Sequence, residues 1–212
     1  PLKKLSSYIS TFLYTSYRRK SLDKALYNHQ HYFKGDVLDI GGGRKRGSFC
    51  FPKEQTQTYT TADIQEELKP DILCDVRDMP FSEARFHAIK ATELFEHVNF
   101  PEKGIAESIR ILKPGGHLII SIPFLVPIHG DPDDYQRYTE HKWMQIFNDS
   151  KLKVKEKVVM GHFFSVAGDM FKALIKSFPR PVQFLLSPSF VFVNLITKID
   201  QALVRIKDGT YG

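Results

Sequence analysis

The stretch Val37–Gly43, VLDIGGG, sets a short apolar run ending in an acid directly against three consecutive glycines. Glycine adopts backbone conformations closed to other residues and lets the main chain come close to whatever lies beside it. Such a turn after a strand admits three readings: a cradle for a nucleotide-like cofactor, a phosphate loop, or a tight turn with no ligand. The rest of the chain has to choose among them.

Further apolar runs bounded by turn residues follow the first, DVLDI at Asp36: TYTTADI at Thr58, DILCD at Asp71, FHAIKAT at Phe86 and HLIISIPF at His117. Between the last two, Ile105, Ile109 and Leu112 recur at helical spacing behind Pro101 and Glu102, which suit a helix start. LKPGG then reads as a helix stop and turn feeding the fifth strand. The unbroken apolar character of LIISI marks a central parallel strand buried on both faces. These alternations predict an α/β fold: a doubly wound, Rossmann-like, mostly parallel sheet with helices on both faces, which binds ligands beyond the carboxyl ends of its strands.

Around this core, 35–160, the sequence predicts a helical segment over 1–34, from the spacing of Ile9, Leu13, Tyr17, Leu22 and Leu26, and a helical appendage or lid over 161–212. The appendage divides into apolar stretches, Phe163–Phe178 and Val182–Ile206, broken by FPRP and SPS. Before it, a helix is expected around Trp143–Phe147 and an alternating strand at KLKVKEKVV.

Of the 212 residues 42% are hydrophobic, enough for one α/β domain with an appendage. Lys and Arg exceed Asp and Glu by 30 to 24, gathered at Lys3, Arg18, Arg44 and Lys151–Lys157, which permits an anionic partner but more often makes a solvated basic face. The two cysteines, Cys50 and Cys74, make no disulfide framework or zinc cluster, and a reducing cytoplasm fits them. No stretch of about 20 apolar residues is free of Pro, Lys or Asp, so no membrane span is expected.

Acids fall at the strand ends: Asp39 before the glycines, Asp63 ending the second run, Asp75 the third, Glu93 following the fourth. An acid about 20 residues past the glycines would also suit a dinucleotide fold. The series DIGGG, DVRDMPF, TELFEHV and LKPGGHLIIS, in this order over Val37–Thr139, resembles the class I S-adenosylmethionine-dependent methyltransferases, most closely the methyltransferase type 11 group. The resemblance implies that Gly41, Gly42 and Gly43 line the methionyl part of S-adenosyl-L-methionine, with Asp39 near its ammonium group. Asp63, beside Ile64, would hold the ribose hydroxyls, Asp75 the adenine amino group and Val76 the ring, with Glu93, Leu94 and His97 bordering the site beneath the sulfonium. Carboxylates suit hydroxyls and amines because they accept what those groups donate. The sequence departs from the family at Lys45, where a third glycine is expected, and RKRGSFCFPKEQ makes a poor helix. The first crossover is therefore expected to be a loop, with Arg44 or Arg46 supplying charge for the cofactor carboxylate.

After the fifth strand, PIHGDPDDYQRYT occupies the place where such methyltransferases hold the acceptor. His129 is the natural general base, with Asp131 or Asp134 as orienter or alternative base, and Arg137 placed to bind an acceptor anion. The competing reading has Arg137 pairing with Asp133 or Asp134 to brace the loop. A divalent metal is not expected, because hard-cation sites draw ligands from several elements. A similar stretch occurs in methyltransferases of polysaccharide and glycolipid biosynthesis, so the expectation is O-methylation of a small, glycan-like or lipid-linked acceptor. Peripheral membrane contact through the C-terminal helices would suit a lipid-linked one. The alternatives are a degenerate cofactor-binding or membrane-associated scaffold without turnover, and an NAD(P)-dependent oxidoreductase, disfavoured because an acid precedes the glycines. A nucleic-acid partner is disfavoured because the substrate loop is acidic and would repel phosphates.

Overall fold

The computed structural model describes residues 15–42, 54–130, 132–186 and 188–203. The chain runs α1 (Tyr17–Asn28), β1 (Gly35–Ile40), β2 (Thr56–Asp63), β3 (Ile72–Leu73), β4 (Phe86–Thr92), α2 (Pro101–Ile111), β5 (Leu112–Ser121), α3 (Glu140–Asp149), α4 (Phe163–Ser177), α5 (Arg180–Leu186) and α6 (Ser189–Leu203). Among the described residues the strands form one five-stranded sheet, ordered β3-β2-β1-β4-β5, in which every pairing is parallel. The order reverses after β3, between β1 and β4, which is the switch point where ligands of open α/β sheets bind.

The apolar runs of β1 and β4 supply the centre of the core. Leu38, Ile40, Ile89 and Ala91 are buried there together with Ile105 and Ile111 of α2 and Trp143 and Ile146 of α3. α2 starts at Pro101, whose missing N–H costs nothing in the first turn. It approaches the Phe95–His97 turn closely at Gly104, where a Cβ would stand 3.0 Å from Phe95 Cε1 and 3.3 Å from both methyls of Val76. The helix stops at Ile111 because Pro114 lacks a donor and disfavours helical backbone before it.

Three expectations change. LKPGG is more than a turn: β5 begins at Leu112, and the ladder skips from the Phe86–Leu112 pair to Ala88–His117, a bulge in which Gly115 takes φ +77°. DILCD gives only two strand residues, because the Asp71 carboxylate takes the main-chain N–H and hydroxyl of Thr61 at 2.9 and 2.8 Å, and Asp75 turns back to bridge Asp78. KLKVKEKVV forms no strand, since its alternation has no buried face to meet: Val154 and Val158 are both exposed.

The described residues group into two compact units. One, Ala25–Phe124 with Ile128–Lys157, holds the sheet; the other joins residues 15–24 and 125–127 to 158–203. In the second unit, Asp169 of α4 accepts the first two amides of α1, from Tyr17 at 2.7 Å and Arg18 at 2.9 Å. Lys172 is buried against the Tyr17 ring, 3.7 Å from its centroid, and donates to the Thr15 carbonyl, and this burial pulls its ammonium down to about 8. Phe184 and Leu185 of α5 and Val191, Phe192 and Leu195 of α6 are exposed. No helix among the described residues is long and apolar enough to cross a membrane.

Ile89, fully buried in β4, and Leu73, exposed at the sheet edge, make a paired test of where stability resides. Ile89→Ala is expected to lower the unfolding free energy by about 2–5 kcal/mol in urea titration, and Leu73→Ala to change it by no more than about 0.5 kcal/mol. Equal effects would contradict the core described above.

Candidate functional site

The carboxyl ends of β1, β2 and β4 converge on the glycine turn. Asp39 and Lys90 are direct partners in the β1–β4 ladder, and the Lys90 ammonium lies 2.7 Å from Asp39 Oδ1. The second oxygen accepts the Tyr59 hydroxyl at 2.7 Å. Asp39 is only 4% exposed, so its charge is held almost wholly by these two groups. Burial, and then the neighbouring carboxylate, push the Tyr59 hydroxyl far above its ordinary range, keeping it a donor. Asp39 therefore braces the turn from within, and the ammonium contact expected of it would have to displace Lys90 or Tyr59. Neither Lys90 nor Tyr59 stands out in the sequence, because each looks like an ordinary strand residue.

The turn itself has no room for side chains. Gly41 takes φ +72°, and a Cβ there would stand 3.1 Å from Leu94 Cδ1. At Gly42 a Cβ would stand 2.3 Å from the Asp39 Cγ, a collision with a carboxylate that cannot move away without breaking its pairs. Gly43, Arg44, Lys45 and Arg46 lie outside the described residues, and the expectations placed on them with them.

Asp63 ends β2 as expected and is 6% exposed. Its Oδ1 accepts the Gln65 amide at 2.9 Å, while Oδ2 has no hydrogen bond among the described residues. A half-satisfied carboxylate at this place fits a ligand that presents hydroxyl donors. Ile64 beside it is exposed. Asp75 is held by a fork from Arg77, with Nε at 3.0 Å from both oxygens, and by the Arg77 amide at 2.8 Å. The guanidinium holds this carboxyl below its ordinary range. An adenine amino group would have to compete with Arg77. Val76 packs into the core beside Gly104.

After β4, Glu93 takes φ +56°, and its carboxylate accepts the Ser121 hydroxyl at 3.0 Å, tying the ends of β4 and β5 together. The turn Phe95–His97 follows, with Glu96 fully buried. His97 Nδ1 meets the Asp133 carbonyl, and because a carbonyl only accepts, that nitrogen carries a proton. Its Nε2 faces Glu96 Oε1 at 3.6 Å.

The loop after β5 is fastened to this turn. The Tyr135 amide donates to the Glu96 carbonyl at 2.8 Å, and Gln136 Nε2 donates to the carbonyls of Phe95 and of Val98, the latter at 3.0 Å. Asp134, 4% exposed on its side chain, is gripped by both terminal nitrogens of Arg137, Nη2 at 2.6 Å, and accepts the His129 amide at 2.9 Å. Arg137, followed by the His129 amide, holds the Asp134 carboxyl down to about 2. Arg137 is thus the loop brace; its alternative part, binding an acceptor anion, would cost this pair. Asp131 lies outside the described residues.

His129 is brought to His97: their rings meet edge to face with centroids 5.0 Å apart, and His129 Nδ1 lies 3.6 Å from Asp134 Oδ2. The ligating atoms of Glu96, His97 and His129 all fall within 4.8 Å of one another. Chemistry-bearing groups from two segments thus share one place, where the sequence suggested a single loop. Glu96 was missed because a glutamate in a short turn carries no sign of burial.

Residues 38–120 match the family model described as a methyltransferase domain. Over 100 residues the chain is 28% identical to the ubiquinone/menaquinone biosynthesis C-methyltransferase UbiE of Paraburkholderia phymatum, a match covering 40% of this chain and 41% of that protein. The chain thus spans less than half the length of this curated relative. Two solved structures share the fold. One is a SAM-dependent methyltransferase from Aquifex aeolicus, with TM-score 0.52, 19% identity and coverage of 66% of this chain and 84% of the other. The second is the Burkholderia thailandensis 1,6-didemethyltoxoflavin-N1-methyltransferase, which holds 1,6-didemethyltoxoflavin and S-adenosylhomocysteine, with TM-score 0.51, 20% identity and coverage of 73% and 77%. The sheet order, the glycine turn and the family match agree: residues 38–120 match a methyltransferase domain, on the fold of the class I, S-adenosylmethionine-dependent methyltransferases.

Proposed function

We propose that the chain methylates a hydroxyl of a polar, glycan-like or lipid-linked acceptor, with His129 as the general base. The observation that carries this reading is the placement of His129: beside His97, backed by the Asp134 carboxylate, on a loop fastened to the turn after β4. S-adenosylmethionine supplies an electrophilic methyl group on a sulfonium. What remains for the chain is to align the acceptor and to remove its proton. Alignment of well-oriented reactants is worth up to about 7–11 kcal/mol, so a loop braced by Arg137 and Gln136 is a large part of the machinery. Proton removal falls to a histidine that a carboxylate orients.

Asp63 has the oxygen to take a ribose hydroxyl, and Gly41 and Gly42 bring main chain to the cofactor without side-chain obstruction. Asp39 and Lys90 hold that turn in place. The exposed apolar residues of α5 and α6 support a lipid-linked form of the acceptor. A second reading, methyl transfer to carbon of a phenolic ring, draws support from the similarity to a C-methyltransferase. It makes the same demand for a base.

Asp63→Ala is expected to weaken S-adenosylhomocysteine binding by roughly 10- to 100-fold, at about 1.5–3 kcal/mol for a lost bond to a charged group. Calorimetry that returns unchanged affinity would remove Asp63 from the site. His129→Ala is expected to leave that affinity within about twofold while lowering kcat by roughly 100-fold or more. Transfer of labelled methyl to free glycans, lipid-linked glycans and quinol-type phenols, with NMR of the product, separates oxygen from carbon acceptors. Full turnover by His129→Ala would assign the base elsewhere.

The Asp134 pair gives a pH dependence of definite sign. A carboxylate whose folded pKa is depressed stabilises the protein above its ordinary value of about 3.9 and loses that contribution as pH falls toward the folded value. The difference in unfolding free energy between wild type and Asp134→Asn is therefore expected to be constant above about pH 5 and to shrink toward pH 2. A difference that grows on acidification would contradict the pairing.

A further inference from the structure

The opposite end of the sheet carries a second constellation. It lies at the amino ends of β1, β4 and β5, roughly 20 Å from the carboxyl ends for strands of this length. There the chain forms a recess of about 370 Å³, within the size range of small-molecule sites. Its walls come from the loop before β1, the starts of β4 and β5, and the segment after α3. The ionisable groups on those walls, apart from the Tyr32 phenol, are Lys34, Lys113, Lys155, His31, His87 and His117, with no carboxylate among them.

Two acids border the recess, and each is shared between a lining residue and a partner outside it. Asp36 is paired with Arg85 at 3.0 Å, accepts the Thr58 hydroxyl at 2.7 Å, meets Lys113 at 3.3 Å and faces His87 Nδ1 at 3.4 Å. Glu156 is taken by His29 at 2.8 Å and by the Tyr32 hydroxyl. Tyr32 is thereby fixed as a post, with the Lys155 ammonium 4.8 Å from its ring centroid and the His117 and His31 rings at 4.6 and 4.1 Å. The His87 ring is set the same way: Nδ1 accepts the Asp36 amide at 2.9 Å, and the Lys113 ammonium stands 3.3 Å from Nδ1 and 3.2 Å from Nε2. The His117 imidazole is held below its ordinary range by burial first, then by Lys155 and His31.

The backbone is shaped to keep the recess open. A Cβ on Gly35 would stand 2.5 Å from His87 Nδ1, and one on Gly116 would stand 2.9 Å from the His87 carbonyl. At Gly115 a Cβ would meet nothing within 4 Å, so that glycine faces open space. The bulge at LKPGG therefore does more than start β5: it carries Lys113 and His117 to the same wall.

We infer that this recess is a second, anion-binding site, distinct from the methyl-transfer site, and that it takes a compact anion carrying a diphosphate group. Three lysines from three segments match several phosphate oxygens better than a single monoanion does, because a lysine acts as a point charge that a multiply charged group satisfies best. Both cation and histidine rings already cover Tyr32, so no aromatic platform is left for a base. The diphosphate is the recognised part, whether free or at the end of a larger molecule.

The test is titration calorimetry of the full chain with pyrophosphate, inorganic phosphate and uridine diphosphate. Pyrophosphate is expected to bind saturably at one site, at least tenfold more tightly than phosphate. Lys34→Gln combined with Lys155→Gln, at two exposed positions outside any ion pair among the described residues, is expected to weaken it by tenfold or more with an unchanged urea midpoint. Uridine diphosphate binding as well as or better than pyrophosphate would assign the site to a nucleotide-like ligand, and weaker binding to the free anion. The proposal is overturned if wild type shows no saturable binding, if phosphate binds as tightly as pyrophosphate, or if the double variant binds as wild type does.

Discussion

One buried charge pair organises the carboxyl end of the sheet. Asp39 and Lys90 face each other across the β1–β4 ladder at 2.7 Å, and Tyr59 closes the remaining carboxylate oxygen. Both ions have left water, which is costly, and the cost is offset only when geometry is good and every lone pair is met. Removing one partner from such a pair typically costs about 3–5 kcal/mol, because the other is left buried and alone. The pair also dictates the glycines, since at Gly42 any side chain would collide with the Asp39 carboxyl. The glycine turn is thus required by the protein's own interior, before any ligand is considered.

From that fixed point the rest of the site follows by short tethers. Glu93 and Ser121 join the ends of β4 and β5, and the Phe95–His97 turn then receives the Tyr135 amide and Gln136 side chain of the following loop. Each tether pairs polar groups of one segment with those of the next, which favours one arrangement of the loop over others. His129 reaches His97 as the last member of this chain of contacts. The two ends of the sheet thereby differ in kind. Asp39, Asp63 and Glu93 stand at the carboxyl ends, and Lys34, Lys113, Lys155 and three histidines line the recess at the amino ends, where we infer an anion site.

Much of this was legible in the residues. The period of the apolar runs gave five strand positions, and Asp63 and Glu93 stand at the strand ends as expected, whereas the third strand stops at Leu73, two residues short of Asp75. What sequence could not show was which acids are already occupied. Asp39 and Asp75 read alike as candidates for a ligand, yet Lys90 and Arg77 hold them, and such pairing depends on register and rotamer; for Asp134 the pairing with Arg137 was one of two readings the residues offered. KLKVKEKVV failed as a strand because alternation signals a half-buried sheet face only where a face exists to be buried. Glu96, Lys90 and Gln136 escaped notice for a related reason, since burial and long-range hydrogen bonding leave no mark on a single residue's identity.

The central claim is that the carboxyl ends of β1, β2 and β4 receive S-adenosylmethionine. Hydrogen–deuterium exchange with and without S-adenosylhomocysteine tests it most directly, since main-chain amides report ligand contact segment by segment. The account expects slowed exchange at residues 39–42, 63–65 and 93–97, with no change at 113–117 on the opposite end. No protection at the first three segments, or protection confined to the amino ends of the strands, would contradict it.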